Sequence, residues 1–425
     1  MVDISLPRGT RDFNPSESML RKEIIAIIEE VFKRFGFYPI ETPSIETLDV
    51  LNAKTYGEES TKEIYKIEGE NNGLIYDFTV PMSRYIAMNR NMPLPFKRYQ
   101  IGNIWRKDEP QHMRYRQFTQ ADMDIVGSDE VISDAEVVAA AAMALDSLGI
   151  KGYKILINDR MILDAVLSLF NIESQKHMQI IRLIDKIPKL GATTVIEQIA
   201  GLGIERKVAE ELISFLTKEG DNESKLESIR SNISGIEKEV DKFVQLLELI
   251  SKYPLLGEVT IDLSLARGLD YYTSFVWEFV MYNDGKRLPT IVGGGRFDNL
   301  IGIFSKSRLP ATGISLGIDR LMDLYKVDNE KRTYAKVFVA YIGDNLNYAV
   351  SITNAIRAKG IYTDLNIIKR SISKQLEYAN SMKFKYTIII GDNEVKAAQV
   401  RVRDMVSGKE ELLSLNEAIG LISGE

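Results

Sequence analysis

The sequence predicts an α+β protein: an antiparallel sheet with helices, interrupted by a helical module and followed by a small α/β domain. Three observations predict it. Short alternating apolar and polar runs separated by turn residues dominate the early chain and return at GEVTIDLSLARGLDYYTSFVWEFVMYN. Between about residues 165 and 250 the texture becomes helical, as in HMQIIRLIDKI and VDKFVQLLELISKY. From residue 336 onward strands and helices alternate, the pattern of a largely parallel sheet.

The first helix is well marked. Asn14 caps it, Pro15 suits the first turn, and Glu17 stands three residues after the cap. Leu20, Ile24, Ile27, Ile28, Val31 and Phe35 recur at helical spacing, and Gly36 ends the run. FYPIETPSIE reads as extended. EIYKIEGENNGLIYDF reads as a hairpin turning at Gly69, Asn71, Asn72 and Gly73. PFKRYQIGNIWRKDEPQHMRYRQFTQADMDIVG reads as two strands joined by a charged loop around Pro110, and DAEVVAAAAMALDSLG as a small-residue helix ending at Gly149. The helical module has polar joints at GATT and GDNES. LPTIVGGGRFDNLIG and ATGISLGIDRLMDLYK restore strand texture before the polar, aperiodic VDNEKRTYA, read as a linker.

The totals exclude several kinds of chemistry. At 425 residues and 45% hydrophobic, the chain suits two or three domains with proper cores. It has no cysteine, so thiolate metal sites and thiol nucleophiles are ruled out. Its two histidines, His112 and His177, lack a metal-ligand spacing, and no protein-borne metal site is expected. MVDISLPRGTRDF is neither a signal peptide nor a transit peptide, and no run of about 18 apolar residues occurs, so a cytoplasmic protein without membrane attachment is expected. The net charge of −6 hides a local contrast. Residues 97–118 hold six basic and two acidic groups, and the last 90 residues hold twelve and ten.

Four places concentrate chemistry. Arg106, Arg114 and Arg116 flank the charged loop; strand alternation puts Arg114 and Arg116 on one face, where guanidinium forks grip phosphate. A solvated charged hairpin fits the same residues. ARGLDYYT packs an arginine, an acid and two tyrosines into an apolar strand context; it suits a pocket lining or a surface turn. Gly293, Gly294 and Gly295 suit close approach of a ligand or a bulge, and do not match a dinucleotide or P-loop fingerprint. Arg320 follows the strand-like GISLGI at a helix start, where backbone donors also meet phosphate.

Together these segments resemble the class II aminoacyl-tRNA synthetases and, within them, the histidyl-tRNA synthetases. FGFYPIETPSIE is similar to the family's dimer-forming first motif, IWRKDEPQHMRYRQFTQADMDIVG to its second, and TGISLGIDRL to its third. ARGLDYYT and GGGRFDNL resemble two signatures of the histidine enzymes, and PRGTRDF and YDFTVPMSRYIA resemble N-terminal landmarks. The resemblance implies a catalytic core over residues 1–325 interrupted by a helical insertion at 165–250, a linker at 326–335, and an anticodon-binding domain at 336–425. It implies ATP and histidine as substrates, Mg²⁺, tRNA(His) as partner, and a homodimer. Carried over residue by residue, it places Arg106 on the α-phosphate and the histidine carboxylate, and Arg114 and Arg320 on the outer phosphates of ATP. Arg267 matches the special catalytic arginine. Asp77, Thr79 and Gln120 match residues around the α-amino and carboxylate groups. Asp124, Tyr271 and Tyr272 match the histidine pocket, and Gly294 and Gly295 its floor.

Three positions depart from the family. Ile75 stands where arginine is usual, Phe297 where tyrosine is usual, and Gln111-His112-Met113 replaces a glycine-containing loop tip that faces the tRNA acceptor end. A non-charging histidine sensor, the regulatory subunit of ATP phosphoribosyltransferase, shares this core but typically lacks the catalytic arginine signature and the anticodon domain, both of which stand here.

Overall fold

The computed structural model describes residues 4–53, 63–111, 113–267, 271–305, 307–325 and 332–424. Contacts divide the chain into two compact units, residues 1–11 with 21–325, and residues 12–20 with 326–425. The expected linker lies largely at 326–331, outside the described residues.

The helix Pro15–Arg34 begins as its sequence predicts. The Asn14 carboxamide accepts from Glu17 N at 3.0 Å while the Glu17 carboxylate accepts from Asn14 N at 2.8 Å. Gly36 past its end holds φ +75°, a left-handed conformation that glycine adopts without strain.

Twelve short strands follow in the first unit: β1 (Tyr38–Pro39), β2 (Ile45–Thr47), β3 (Asn72–Leu74), β4 (Phe96–Trp105), β5 (Gln117–Val126), β6 (Lys154–Asp159), β7 (Glu258–Ile261), β8 (Phe275–Val280), β9 (Tyr282–Asn283), β10 (Lys286–Arg287), β11 (Val292–Arg296) and β12 (Ala311–Gly317). Eight of them form one sheet in the order β1-β4-β5-β12-β11-β8-β6-β7. The pairings from β4 across to β6 are antiparallel, and only the edge pairs β1·β4 and β6·β7 are parallel. One face is covered by the helix Val131–Ser147, whose run of Ala139, Ala140, Ala141 and Ala142 is fully buried and packs against β11 and β12. Small side chains let that helix approach the sheet closely.

The expected hairpin at residues 63–78 does turn, with Ile67 N donating to Asn72 O at 2.9 Å, but its second arm β3 pairs with β2 as well. The helical module runs between β6 and β7, from Arg160–Leu169 to Glu237–Ile250. Its joints are built as predicted at GDNES, where Asp221 caps the next helix through Ser224 N at 2.8 Å. ARGLDYYT corrects the strand reading. β7 ends at Ile261 and β8 starts at Phe275, so the signature lies on the connection between them. Its residues 268–270 are outside the described residues.

The second unit holds β13 (Val337–Tyr341), β14 (Thr363–Leu365), β15 (Tyr386–Ile390), β16 (Val400–Asp404) and β17 (Glu410–Leu413), ordered β14-β13-β15-β16-β17. Two pairings are parallel and two antiparallel, so "largely parallel" describes only half of it. The short turn at 405–409 explains the difference, because a connection that short joins only antiparallel strands.

Candidate active site

The sheet register assembles the site. Along β5, Gln120, Asp122 and Asp124 alternate onto one face, opposite Gly317, Ser315 and Gly313 of β12. Gly313 pairs on with Gly295, and Ser315 with Gly293, of β11. On the other flank Arg98 of β4 stands opposite Asp124, and Gln100 opposite Asp122. A row of polar and glycine positions therefore crosses four strands on the face away from the helix Val131–Ser147.

Three glycines on that row, Gly313, Gly293 and Gly295, each make room for a named side chain. A Cβ on Gly313 would fall 1.8 Å from the Asp124 carboxylate, one on Gly293 1.8 Å from the Arg267 guanidinium, and one on Gly295 2.6 Å from the Tyr272 ring. The glycines are not a bulge, since β11 pairs continuously on both sides. Gly294 is the correction. It belongs to the opposite face, where a Cβ would meet Trp277 Nε1 at 2.6 Å and Gly313 O at 2.1 Å. Gly293, named in the sequence but not assigned to the pocket floor, shares the site face with Gly295.

Asp124 is buried and ion-paired with Arg98, which is itself fully buried. Burial raises the Asp124 carboxyl to about 6 despite Arg98, and burial raises Asp122 to about 7, with Asp124 and Asp77 adding to the rise. Asp77 and Thr79 sit at the start of the helix Thr79–Met88, where the Asp77 carboxylate accepts from Val80 N at 3.1 Å. Gln120 is buried with its carbonyl oxygen unpartnered. Tyr271 and Tyr272 stand with hydroxyls 3.4 Å apart, and the Tyr271 pKa is raised by burial and then by the Asp77 charge. Phe297 meets Tyr271 edge-on at 5.9 Å and is buried, so an apolar ring serves where the family has tyrosine. Ile75 lies in an apolar cluster with Leu51, Phe78 and Ile104, which suits its lack of charge.

Arg106, Arg114, Arg267 and Arg320 converge beside this row. Arg106 follows β4 and donates to Tyr76 O at 3.0 Å, its guanidinium 5.3 Å from the Phe118 ring centroid. Arg114 and Arg116 lie in the loop before β5, not on a strand face as expected: Arg114 pairs with Asp108 at 2.9 Å, and Arg116 donates to Asp108 O at 2.9 Å. His112 at the loop tip is outside the described residues. Arg320 opens the helix Ile318–Leu324 and donates to Met113 O at 3.2 Å and to Thr290 O. Burial, and then the charges of Arg106 and Arg114, hold its pKa below the usual arginine value.

Arg267 has φ +38°, a backbone conformation that a residue with a Cβ adopts at a cost of about 1–3 kcal/mol. Its guanidinium donates to Trp277 O at 3.2 Å and lies 5.5 Å from the Tyr272 ring centroid. Among the described residues it makes no carboxylate ion pair. Asp262 is occupied by Ser264, at 3.0 Å from its nitrogen and 2.6 Å from its hydroxyl, and Asp270 is outside the described residues. Mutually repelling guanidinium groups brought together at the edge of a buried acidic pocket suit a polyanion beside a small cationic or hydrogen-bonding ligand. Sequence reading missed Arg98, Asp122 and Gly313. Asp122 was legible, since it alternates between Gln120 and Asp124.

An antiparallel sheet bearing phosphate-type arginines on its second and third motifs defines the catalytic core of a class II aminoacyl-tRNA synthetase. The comparisons narrow this. Residues 9–321 match the family described as histidyl-tRNA synthetase, and residues 336–425 match the anticodon binding domain. A histidine–tRNA ligase of Korarchaeum cryptofilum is 36% identical, covering 97% of this chain and 100% of its own. One from Aeropyrum pernix is 34% identical over 97% of this chain and 96% of its own. The crystal structure of histidyl-tRNA synthetase from Nostoc superposes with a TM-score of 0.85 at 27% identity, each chain covered 100%. The chain belongs to the histidyl-tRNA synthetase family. A Bacillus halodurans structure described as ATP phosphoribosyltransferase regulatory subunit/histidyl-tRNA synthetase, 20% identical with a TM-score of 0.76 over 92% of this chain and 98% of its own, shares the fold. The near-full-length ligase relatives leave the regulatory reading without favour.

Proposed function

We propose that this enzyme activates histidine with ATP on the glycine-lined face of its eight-stranded sheet and transfers it to the 3′-end of tRNA(His). The observation that supports this most is the convergence of Arg106, Arg114, Arg267 and Arg320 beside the buried Asp77, Asp122 and Asp124. A polyanion and a cationic amino acid fit that division of charge.

In this reading Arg114 and Arg320 hold the outer phosphates of ATP. Arg106 and Arg267 hold the α-phosphate, where charge rearranges as the histidine carboxylate attacks phosphorus and pyrophosphate leaves. Asp77, Thr79 and Gln120 fix the α-amino and carboxylate groups. Asp124 accepts an imidazole N–H, Tyr271 and Tyr272 close over the ring, and Gly295 leaves space for them. Arg98 keeps Asp124 ionised as an acceptor. The tRNA hydroxyl then attacks the acyl carbon and AMP leaves. Mg²⁺ would arrive bound to the phosphates of ATP, whose oxygens it prefers. The unit ending the chain would hold the anticodon stem. Two copies would pair through the first motif, and the protein would work in the cytoplasm. No described helix is long and apolar enough to cross a membrane.

The test is pyrophosphate exchange with each standard amino acid in turn. Exchange that requires histidine supports the reading; exchange with another amino acid, or none with histidine, overturns it. Light scattering at micromolar concentration checks the dimer, which a monomer would refute.

A further inference from the structure

The landmark PRGTRDF has no role in the chemistry described so far, yet residues 7–11 are built tightly into it. Thr10 turns the chain back, with its nitrogen at 3.1 Å and hydroxyl at 2.7 Å from Pro7 O. Gly9, at φ +83°, lies flat on the charged loop: a Cβ there would meet Arg116 Cγ at 2.8 Å and Pro110 Cγ at 2.9 Å. Its carbonyl accepts from Arg116 N at 2.8 Å. Arg11 then reaches the third-motif helix. Its guanidinium stacks 4.4 Å from the Tyr115 ring centroid, donates to the Tyr115 hydroxyl at 3.2 Å, and pairs with Asp319 at 2.9 Å. The second oxygen of Asp319 accepts from Thr119 N, at the start of β5, at 2.7 Å.

Asp319 is buried and immediately precedes Arg320 in the first turn of Ile318–Leu324. The rotation of that turn decides where Arg320 points. Asp319 is thus held from two sides, by Arg11 and by the β5 backbone, while Arg320 beside it reaches Met113 O on the same loop that carries Arg114. We propose that Arg11 is a positioning residue for ATP: by tying Asp319 and Tyr115 together, it sets Arg320 against the loop that carries Arg114. This rests on the reading of Arg320 as a phosphate ligand. Residues 7–11 work as a strap across the two ATP-binding segments, although Arg11 never touches the nucleotide. The Arg8–Glu109 pair at 3.0 Å is solvent-exposed on both sides and adds little.

The experiment is pyrophosphate exchange on the full-length enzyme, with the Michaelis constants for ATP and histidine measured separately and a melting curve on each sample. Arg11→Ala is expected to raise the ATP constant about tenfold, the loss of one charge-assisted partner, and to leave the histidine constant within about twofold. Arg11→Lys keeps charge but not the fork, so it should recover part of the loss. Arg11→Ala combined with Asp319→Asn should raise the ATP constant by less than the product of the two single effects, because the two residues share the Arg11–Asp319 contact. An unchanged ATP constant with a lowered melting midpoint would leave the strap purely structural, and an equal rise in both constants would also overturn the proposal. Arg320→Ala, run alongside, separates the premises. If it leaves the ATP constant unchanged, the phosphate role of Arg320 falls; if it raises that constant while Arg11→Ala does not, the strap alone falls.

Discussion

The sheets of the two units fill their interiors with opposite materials. In the second unit Val337, Val339, Ile388, Ile390, Val400 and Val402 converge into one apolar cluster. In the first unit the interior strand β5 buries Gln120, Asp122 and Asp124 on one face, with Arg98 fully enclosed beside them. Apolar burial stabilises a sheet by roughly 25 cal/mol per Å². Buried carboxylates and an arginine work against folding unless their polar atoms are matched. Here they are incompletely matched: Gln120 Oε1, Asp122 Oδ1 and two Arg98 nitrogens lack hydrogen-bond partners among the described residues. A sheet kept polar at this expense in stability is organised for a ligand, whereas the sheet of the second unit is organised to hold its own shape.

The contrast breaks most sharply at Arg267. If the polar face exists for chemistry, Arg267→Ala should slow adenylate formation by about 10²–10³, as for other preorganised donors. Its melting midpoint should barely move, because the residue holds a strained φ and makes no ion pair among the described residues. Single-turnover adenylate formation and a melting curve on one sample decide this. A normal rate with an early melt would make Arg267 structural.

Asp124→Asn comes next. Losing the charge on one partner of a charge-assisted bond costs about 1.5–3 kcal/mol, roughly 10–150-fold in the histidine Michaelis constant. The ATP constant should change far less. Equal effects on both substrates would remove Asp124 from the histidine pocket.

The opposite outcome is expected in the second unit. Ile388 is fully buried in its apolar cluster, so Ile388→Ala should lower stability by about 2–5 kcal/mol through lost burial and a residual cavity. Charging of tRNA should weaken while histidine-dependent exchange persists at 25 °C. Calorimetry paired with both assays checks it, and exchange lost in step with charging would show that the catalytic face depends on this core.

How far the sequence exposes the site follows from the same contrast. Strand alternation is local, so the shared face of Gln120, Asp122 and Asp124 was legible in QADMD. Parity across strands is not local. Which glycines of Gly293-Gly294-Gly295 face the ligand depends on the register of β11 with β12, and one residue of slip inverts the answer. That is why Gly294 rather than Gly293 was assigned to the pocket floor. Arg98 looked like one more charge in a basic stretch, because nothing near it in sequence indicates that Asp124 lies opposite. The strand β3 likewise finds β2 across more than twenty residues, a pairing that its hairpin composition does not encode. The helix starts at Asn14 and Asp221 were legible because a cap and its helix are neighbours.

The smallest expected effect tests the electrostatic side of the comparison. Burial raises Asp122 from 3.8 to about 7, so between about pH 4 and 7 the folded protein binds a proton there that the unfolded chain has released. Stability from this group is therefore fully present below pH 4 and declines as pH rises toward 7, the reverse of a surface-paired carboxylate. Asp122→Asn removes the titration while keeping a similar shape and an acceptor for the neighbouring Ser315. Asp124, raised to about 6, titrates in both proteins and largely cancels in their difference. The melting midpoint of the variant, measured relative to the parent, should thus climb between pH 4 and 7 and level off above. A difference that stays flat over this range would mean that Asp122 is ionised in the folded protein throughout. Its burial would then be offset by Arg98, and the polar face would carry less stored electrostatic penalty than its contrast with the apolar sheet implies.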